Sequence, residues 1–333
     1  MLVGVDIGGT KTAVVIAENP THILSREEFP TLPSLGPDHA IEKIQRLIDV
    51  GLSRHGQPAA FRIGVSCGGP LDRVNGTIQS PPNLASWANV PIKEILERKF
   101  AVPCLLENDA NAGAVAEYRY GAGVGCRNMV FLTLGTGFGA GLILNRELYR
   151  GTSEMAGEIG HVRLTDEGPV GYGKAGSVEG WVSGWGMAQH GAQVVESAIR
   201  AGEFSSLIEI AAQREITSRD IGEAALSGDG LARRIVCVAG QKLGLALAML
   251  VDVLNPERVV IGGMALRLGS LLLEPALQVM RDEALTQSTA VCTIVPARLG
   301  ERIGDVSALC VAQGLSVLSD ASAVQEIPST ASK

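Results

Sequence analysis

Two short stretches rich in glycine and threonine carry the residue types that hold a phosphate. The first is Gly8-Gly9-Thr10, directly after Leu2-Val3-Gly4-Val5-Asp6. The second is Gly135-Thr136-Gly137, directly after the apolar run that ends at Leu134. A phosphate ester carries several negative charges and needs many donors nearby. Glycine lets backbone N–H groups approach without a Cβ in the way, and a threonine hydroxyl adds one more donor. Asp6, at the end of a strand facing the first turn, suits magnesium held through water, because Mg²⁺ keeps several of its waters. One such turn alone reads equally as a plain hairpin bend, since glycine is the usual turn residue. Two of them, one opening each half of the chain, favour the phosphate reading. Neither is a Walker A loop. Gly4-Val5-Asp6-Ile7-Gly8-Gly9 feeds a strand and not a helix, which argues against a dinucleotide-binding fingerprint.

A second group of residues suits a polyhydroxylated partner. Leu105-Leu106-Glu107-Asn108-Asp109-Ala110-Asn111 is a strand-to-helix junction with Asp109 at the expected N-cap position. Asp109 reads either as a capping residue or as a carboxylate that orients an attacking hydroxyl. In the second case a helix N-terminus would keep it ionised, a weak base but a good acceptor. Phosphoryl transfer asks mostly for positioning, so such a carboxylate suffices. Gly157-Glu158-Ile159-Gly160-His161, with Glu179 further on, offers carboxylates and an imidazole that match the donors and acceptors of sugar hydroxyls. The same residues read as a solvated turn with a surface histidine.

The elements that must position these groups follow from periodicity. Leu2 to Asp6 and Thr12 to Ala17 form a hairpin around the first turn, and Ile23 to Phe29 suits a third antiparallel strand. Asp38 to His55 has helical apolar spacing. Strands at 62–66 and 103–107 alternate with helices at 91–100 and 110–120, and 75–89 reads as an ordered loop. The pattern restarts at 128–134 as strand, glycine-threonine turn, strand, which makes a weak internal repeat. Helices at 218–228 and 231–254, strands at 258–261 and 292–296, and a final helix at 304–318 complete the reading. The fold class is α/β, in two domains. Residues 1–120, joined by the final helix, form the first and 121–303 the second, with a cleft between them as the ligand site. The tail at 319–333 is expected to fray.

Bulk properties agree. Apolar residues make up 46% and charged residues 19% of 333, enough to bury a large core and unlike a disordered chain. A net charge of -7 argues against non-specific nucleic-acid or membrane-surface binding. The six cysteines are scattered and form no C-x-x-C, so they read as reduced core thiols of a cytoplasmic protein. A signal peptide has no room before Asp6. The longest apolar run, Leu243 to Val251, is too short to span a bilayer and reads as a buried helix.

Taken in order, Asp6-Ile-Gly-Gly-Thr-Lys11, Gly68-Gly69-Pro70, Ser80-Pro-Pro-Asn83-Leu84, Glu107-Asn-Asp-Ala-Asn111, Leu134-Gly-Thr-Gly-Phe-Gly139, Gly157-Glu-Ile-Gly-His161 and Ile261-Gly-Gly263 resemble the ROK family (repressors, open reading frames and kinases). That family lies within the hexokinase and actin superfamily, and the resemblance covers about residues 2 to 315. It implies an actin-like, ribonuclease H-like fold of two domains and a cytoplasmic kinase that phosphorylates a hexose or N-acetylhexosamine. The 6-hydroxyl of an aldohexose is favoured, as in a glucokinase. Asp109 is then the catalytic base. Gly69, Asn83, Asn108, Glu158, His161 and Glu179 bind the sugar. Gly8, Gly9, Thr10, Lys11, Gly135, Thr136 and Gly137 hold the ATP phosphates, Gly262 and Gly263 flank the adenosine, and Asp6 acts through Mg²⁺. A homodimer is implied; the negative net charge and the five residues before Asp6 argue against a nucleic-acid partner, and no membrane partner is expected; polyphosphate is a second donor to consider. One departure stands out. Many family members carry three cysteines after the G-E-x-G-H motif that bind a structural zinc together with that histidine. Here those positions are Val170, Tyr172 and Ser177, so no structural zinc is expected, and packing around Tyr172 and Trp181 is expected to order the loop instead. The alternatives within the family are a catalytically silent sugar-binding protein and a sugar-sensing regulator.

Overall fold

The computed structural model describes residues 1–84 and 86–315, so the expected tail and the last residues of the expected final helix lie outside the described residues. In the first half the strands are β1 (Leu2–Ile7), β2 (Lys11–Asn19), β3 (His22–Pro30), β4 (Arg62–Cys67) and β5 (Cys104–Asn108), with helices α1 (Pro37–Arg54), α2 (Ile92–Phe100) and α3 (Asp109–Tyr120). Then come β6 (Met129–Leu134), β7 (Phe138–Leu144), β8 (Glu147–Tyr149), α4 (Val178–Val182), α5 (Gly184–Ala201), α6 (Gly230–Leu254), β9 (Arg258–Ile261), α7 (Ser270–Glu283), β10 (Thr293–Pro296) and α8 (Ile303–Gln313).

The internal repeat is visible in the sheets. One sheet runs β3-β2-β1-β4-β5 and the other β8-β7-β6-β9-β10. Counted within each half, both orders are third, second, first, fourth, fifth. In the first sheet β1 pairs antiparallel with β2 and parallel with β4, and β4 pairs parallel with β5. In the second, β6, β9 and β10 are parallel. Parallel strands bury both faces, which explains the continuous apolar runs Val3 to Val5 and Val259 to Ile261.

Among the described residues two compact units result: 1–126, 141–154 and 298–315, and 127–140 and 155–297. The division passes through β7. In the first unit α8 lies on β1 and β4 and against α3. The approach is close because glycines line it: a methyl group added at Gly64 would run into the Ala312 amide and the Ala308 carbonyl of α8. The fully buried Glu117 of α3 anchors the segment that leads into α8, accepting from the main-chain amides of Arg298 at 3.2 Å and Leu299 at 2.9 Å.

In the second unit α6 is 25 residues long and apolar enough to cross a membrane by length and composition. The run read as too short to span thus belongs to a longer helix. Ile235, Val236, Leu243, Leu247 and Val251 are fully buried. Gly240 and Gly244 bring its backbone close to α7, where added methyl groups would meet the Leu272 and Ala276 carbonyls at 2.5 Å each. It is a core helix of this unit.

The seating of α8 gives a test. Gly64→Ala should lower unfolding free energy by about 3 kcal/mol, since the obstruction is helix backbone and not a side chain that can rotate away. Urea unfolding measures it, and an unchanged midpoint would contradict the packing described.

Candidate active site

In the first unit three parallel strands end along one edge and deliver the candidate chemistry. Asp6 on β1 pairs in register with Ser66 on β4, and Ser66 with Glu107 on β5. The chain leaves β4 as Gly68-Gly69 and leaves β5 as Asn108-Asp109. A methyl group at Gly68 would lie 3.8 Å from Asp109 Oδ2, and one at Gly69 would lie 3.4 Å from Asn108 Nδ2. Gly9 is pressed against Asn83, where a methyl group would come within 2.5 Å of its Cβ and 2.9 Å of its carbonyl oxygen. The first glycine turn, Asp6, Gly69, Asn83, Asn108 and Asp109 are thereby gathered in one region of this unit.

The helix cap differs from expectation. Asn108, not Asp109, is the N-cap of α3: its Oδ1 accepts from the amides of Ala110 at 3.0 Å and Asn111 at 3.2 Å. Asp109 is the first helical residue, and its Oδ1 accepts from the Ala110 amide at 2.8 Å. Solvent reaches the Asp109 side chain, but the carboxyl is ringed by protein, and this desolvation raises its pKa against the lowering effect of the backbone N–H groups. The backbone N–H groups at the start of α3 still pull its pKa down, as expected of a helix N-terminus, but desolvation outweighs them. The pKa of Asp6 rises from 3.8 to about 7, through desolvation first and then the nearby charges of Asp109 and Asp305.

The first turn is tied from behind. The Gly8 amide donates to the Lys11 carbonyl at 3.0 Å, the Thr31 amide to the Thr10 carbonyl at 3.0 Å, and the Thr31 hydroxyl to the Gly8 carbonyl at 2.6 Å. Among the described hydrogen bonds none uses the amides of Gly9 or Thr10. Lys11, expected at phosphate, places its ammonium on Glu28 at 3.0 Å.

The second turn, in the second unit, is tied in the same manner by different groups. Amides at the start of α5 take its carbonyls: Gly184 bonds the Gly135 carbonyl at 2.9 Å and Trp185 the Thr136 carbonyl at 3.2 Å. Because carbonyl and amide point opposite ways across a planar trans peptide, the amides of Thr136 and Gly137 face away from α5. Glu179 Oε2 accepts from the Phe138 amide at 2.9 Å, and a methyl group at Gly137 would lie 2.9 Å from it. Glu179 therefore touches the end of the second glycine turn. Gly263, at positive φ, lies directly on the Leu134 carbonyl, and the Gly262 amide donates to the Leu132 carbonyl at 2.8 Å. This puts Gly262 and Gly263 beside the strand that leads into the turn. Gly160 sits on the Phe138 carbonyl and Gly157 on that of Ala140, seating Glu158 and His161 next to β7, the strand that leaves the turn.

The segment after His161 is ordered by ordinary contacts. Ser177 caps α4 by accepting from the Gly180 amide, Trp181 Nε1 donates to Thr165 Oγ1 at 2.8 Å, and Tyr172 meets the His161 ring edge-on at 5.8 Å. Lys174 Nζ holds the His161 carbonyl at 2.8 Å.

Sequence reasoning assigned no role to several residues that support the site. Glu107 is almost wholly buried; Arg150 donates to its Oε2 through Nη2 at 2.7 Å and Nε at 3.1 Å. Glu107 Oε1 accepts from the Asn108 amide at 3.1 Å and from Asn111 Nδ2 at 3.2 Å. An acid inside an apolar strand signals a buried ion pair, but nothing local names Arg150 as its partner. Asp305, at the start of α8, binds Arg26 Nε and faces Asp6.

Comparison with known proteins follows the same line. The model of the ROK family matches residues 2–314. A glucokinase from Halalkalibacterium halodurans is 33% identical over 306 residues, 91% of this chain and 92% of that protein. The structure of a ROK family glucokinase from Streptomyces griseus in complex with glucose and AMPPNP matches with a TM-score of 0.77 at 30% identity, covering 94% of this chain and 99% of that one. A xylose repressor from Caldicellulosiruptor bescii is 29% identical over 308 residues, 90% of this chain and 75% of that protein. With both glycine turns, the strand-end carboxylates and the repeated sheet order in place, this chain is a member of the ROK family and has its actin-like, two-domain α/β fold.

Proposed function

We propose that this protein transfers the γ-phosphoryl group of MgATP to a hydroxyl of a hexose or N-acetylhexosamine, with the 6-hydroxyl of an aldohexose favoured, as in the glucokinases it is similar to. The observation that carries the reading is the gathering of Asp109, Asn108, Asn83 and Gly69 around the first glycine turn and Asp6. In this reading Asp109 accepts the proton of the attacking hydroxyl. Its raised pKa brings it closer to neutrality, where a base gains driving force without losing its ionised form. Asn83 and Asn108 orient the sugar, with Gly69 lining the pocket wall, and Glu158, His161 and Glu179 bind further hydroxyls. The amides of Gly9, Thr10, Thr136 and Gly137 and the threonine hydroxyls hold phosphate oxygens; Gly262 and Gly263 flank the adenosine. Unused amides suit an anion, and a crowded carboxylate with a raised pKa suits a cation that relieves its charge. Asp6 would hold Mg²⁺ through water, and the ion, when bound, neutralises charge on the phosphates. Val170, Tyr172 and Ser177 supply no thiolate, so we assign no structural zinc.

The similarity to a xylose repressor favours a second reading, sugar sensing without turnover. An ADP-release assay across a sugar panel separates the two: turnover with any hexose ends the silent reading, and saturable sugar binding without ADP release ends the kinase reading.

Asp109→Asn should cut kcat by at least roughly 100-fold with the circular dichroism spectrum unchanged. Near-normal turnover in that variant would remove Asp109 from the mechanism.

Asp6 predicts a pH dependence whose sign follows from its raised folded-state pKa. The protonated form is favoured by folding, so its contribution to stability is full below 3.8 and is lost as pH rises through about 7. Without nucleotide or magnesium, Asp6→Asn should therefore melt at a higher temperature than wild type at pH 8 and show no such gain at pH 4. Equal melting temperatures at pH 8 would count against the crowding of Asp6.

A further inference from the structure

Thr31 lies outside every motif that the family resemblance uses, yet it takes two carbonyls of the first glycine turn. It is fully buried, as is Thr12. Its amide donates to the Thr10 carbonyl at 3.0 Å and its hydroxyl to the Gly8 carbonyl at 2.6 Å. The hydroxyls of Thr12 and Thr31 lie 2.9 Å apart. A hydroxyl has one proton, and a carbonyl oxygen can only accept. The Thr31 proton is therefore committed to Gly8, and Thr12 must be the donor to Thr31. The result is a directed relay, from the Thr12 hydroxyl to the Thr31 hydroxyl to the Gly8 carbonyl. The peptide between Gly8 and Gly9 is planar and trans, so fixing the Gly8 oxygen on Thr31 fixes the Gly9 N–H on the opposite side. That amide is one of the two left unused among the described hydrogen bonds.

We propose that Thr31, oriented by Thr12, is a positioning residue for phosphate binding: a buried hydroxyl that touches no substrate sets the direction of the Gly9 amide and hence the affinity for the nucleotide phosphates. This rests on the phosphoryl-transfer reading of the turn. Replacing Thr31 by valine keeps its volume and its amide bond to Thr10 but frees the Gly8 peptide to rotate. It also leaves the Thr12 hydroxyl without its acceptor. Serine keeps the hydroxyl and loses only a methyl group.

The test uses the full-length protein, with Thr31→Val, Thr31→Ser and Thr12→Val compared with wild type. KM for ATP, KM for the sugar and kcat come from ADP release, and MgADP affinity from calorimetry. A net intramolecular hydrogen bond is worth about 1 kcal/mol. Thr31→Val should accordingly raise KM for ATP and the Kd for MgADP by roughly fivefold to tenfold, with KM for the sugar within about twofold. Thr31→Ser should restore wild-type nucleotide affinity, and Thr12→Val should show a smaller loss of the same kind. Unchanged MgADP affinity in folded Thr31→Val would overturn the proposal. So would equal rises in both KM values, or failure of serine to restore binding. If Thr31→Val does not fold, Thr12→Val decides by the same criterion one bond further away. Calorimetry separates this proposal from the kinase reading. Wild type that binds MgADP but phosphorylates no sugar ends that reading and leaves the Thr31 comparison standing; wild type that does not bind MgADP ends both.

Discussion

The structure of the first unit turns on Asp6, a carboxylate desolvated at the strand edge with two further acids beside it. Asp6 faces Asp109 and Asp305, and each raises the energy of the ionised Asp6. No arrangement chosen for stability alone would collect three acids in this way. The surrounding elements hold them there. Arg26 takes the Asp305 carboxylate through Nε at 2.8 Å and 3.1 Å. Gly304, the residue before Asp305, has no Cβ because the Asp6 carboxylate occupies that space. The approach of α8 to β1 and β4 through Gly4 and Gly64 is part of the same constraint. The final helix closes the core and also sets how tightly Asp6 is crowded. A crowded acid of this kind gains most from a cation, which links the strain at this edge to the proposed need for magnesium.

The repeated sheet order carries a second device. Each half opens as strand, glycine turn, strand, and in each the carbonyls of the turn are taken from behind while amides are left on the other side. The groups that do this are unrelated. In the first unit it is the amide and hydroxyl of one residue, Thr31; in the second it is the amides of Gly184 and Trp185, with Glu179 holding Phe138. The common element is peptide planarity: pinning one oxygen aims the next N–H. A turn built to bind an anion, as proposed for these two, needs its acceptors satisfied as much as its donors free, and sequence motifs record only the donors.

Much of this was legible in the sequence because it depends on local rules. Hairpin, turn and strand positions followed from alternation and glycine, and β1 to β5 match the periodicity within a residue or two. Helices α5 and α7 escaped notice for physical reasons. The start of α5 is Gly184-Trp185-Gly186, which reads as loop, but Gly186 is required because the Gly180 carbonyl lies where its Cβ would be. Pro275 lies inside α7, where proline ordinarily breaks a helix. The cap was misplaced by one residue because Asn108 and Asp109 are both good N-caps and only the backbone geometry decides between them. The partners Glu107–Arg150 and Asp305–Arg26 are 43 and 279 residues apart, and no spacing rule reaches that far.

Glu107 shows how the unread part bears on the read part. It directly precedes Asn108 and Asp109, is nearly inaccessible to solvent, and spends one oxygen on Arg150 and the other on the Asn108 amide and Asn111. A buried acid without its partner is expensive, whereas one with both oxygens satisfied is rigid. Arg73 lies 3.9 Å from the same carboxylate and also binds Glu154, which ties the segment holding Arg150 to the hairpin after Gly69-Pro70. Asn108 and Asp109 are therefore fixed on one side by the first turn of α3 and on the other by a charge network reaching two loops. Positioning chemistry demands that kind of support, since a displaced acceptor loses far more rate than a slightly weaker one. The motif residues name the groups proposed to react; the arginines that the motif omits are what keep those groups in place.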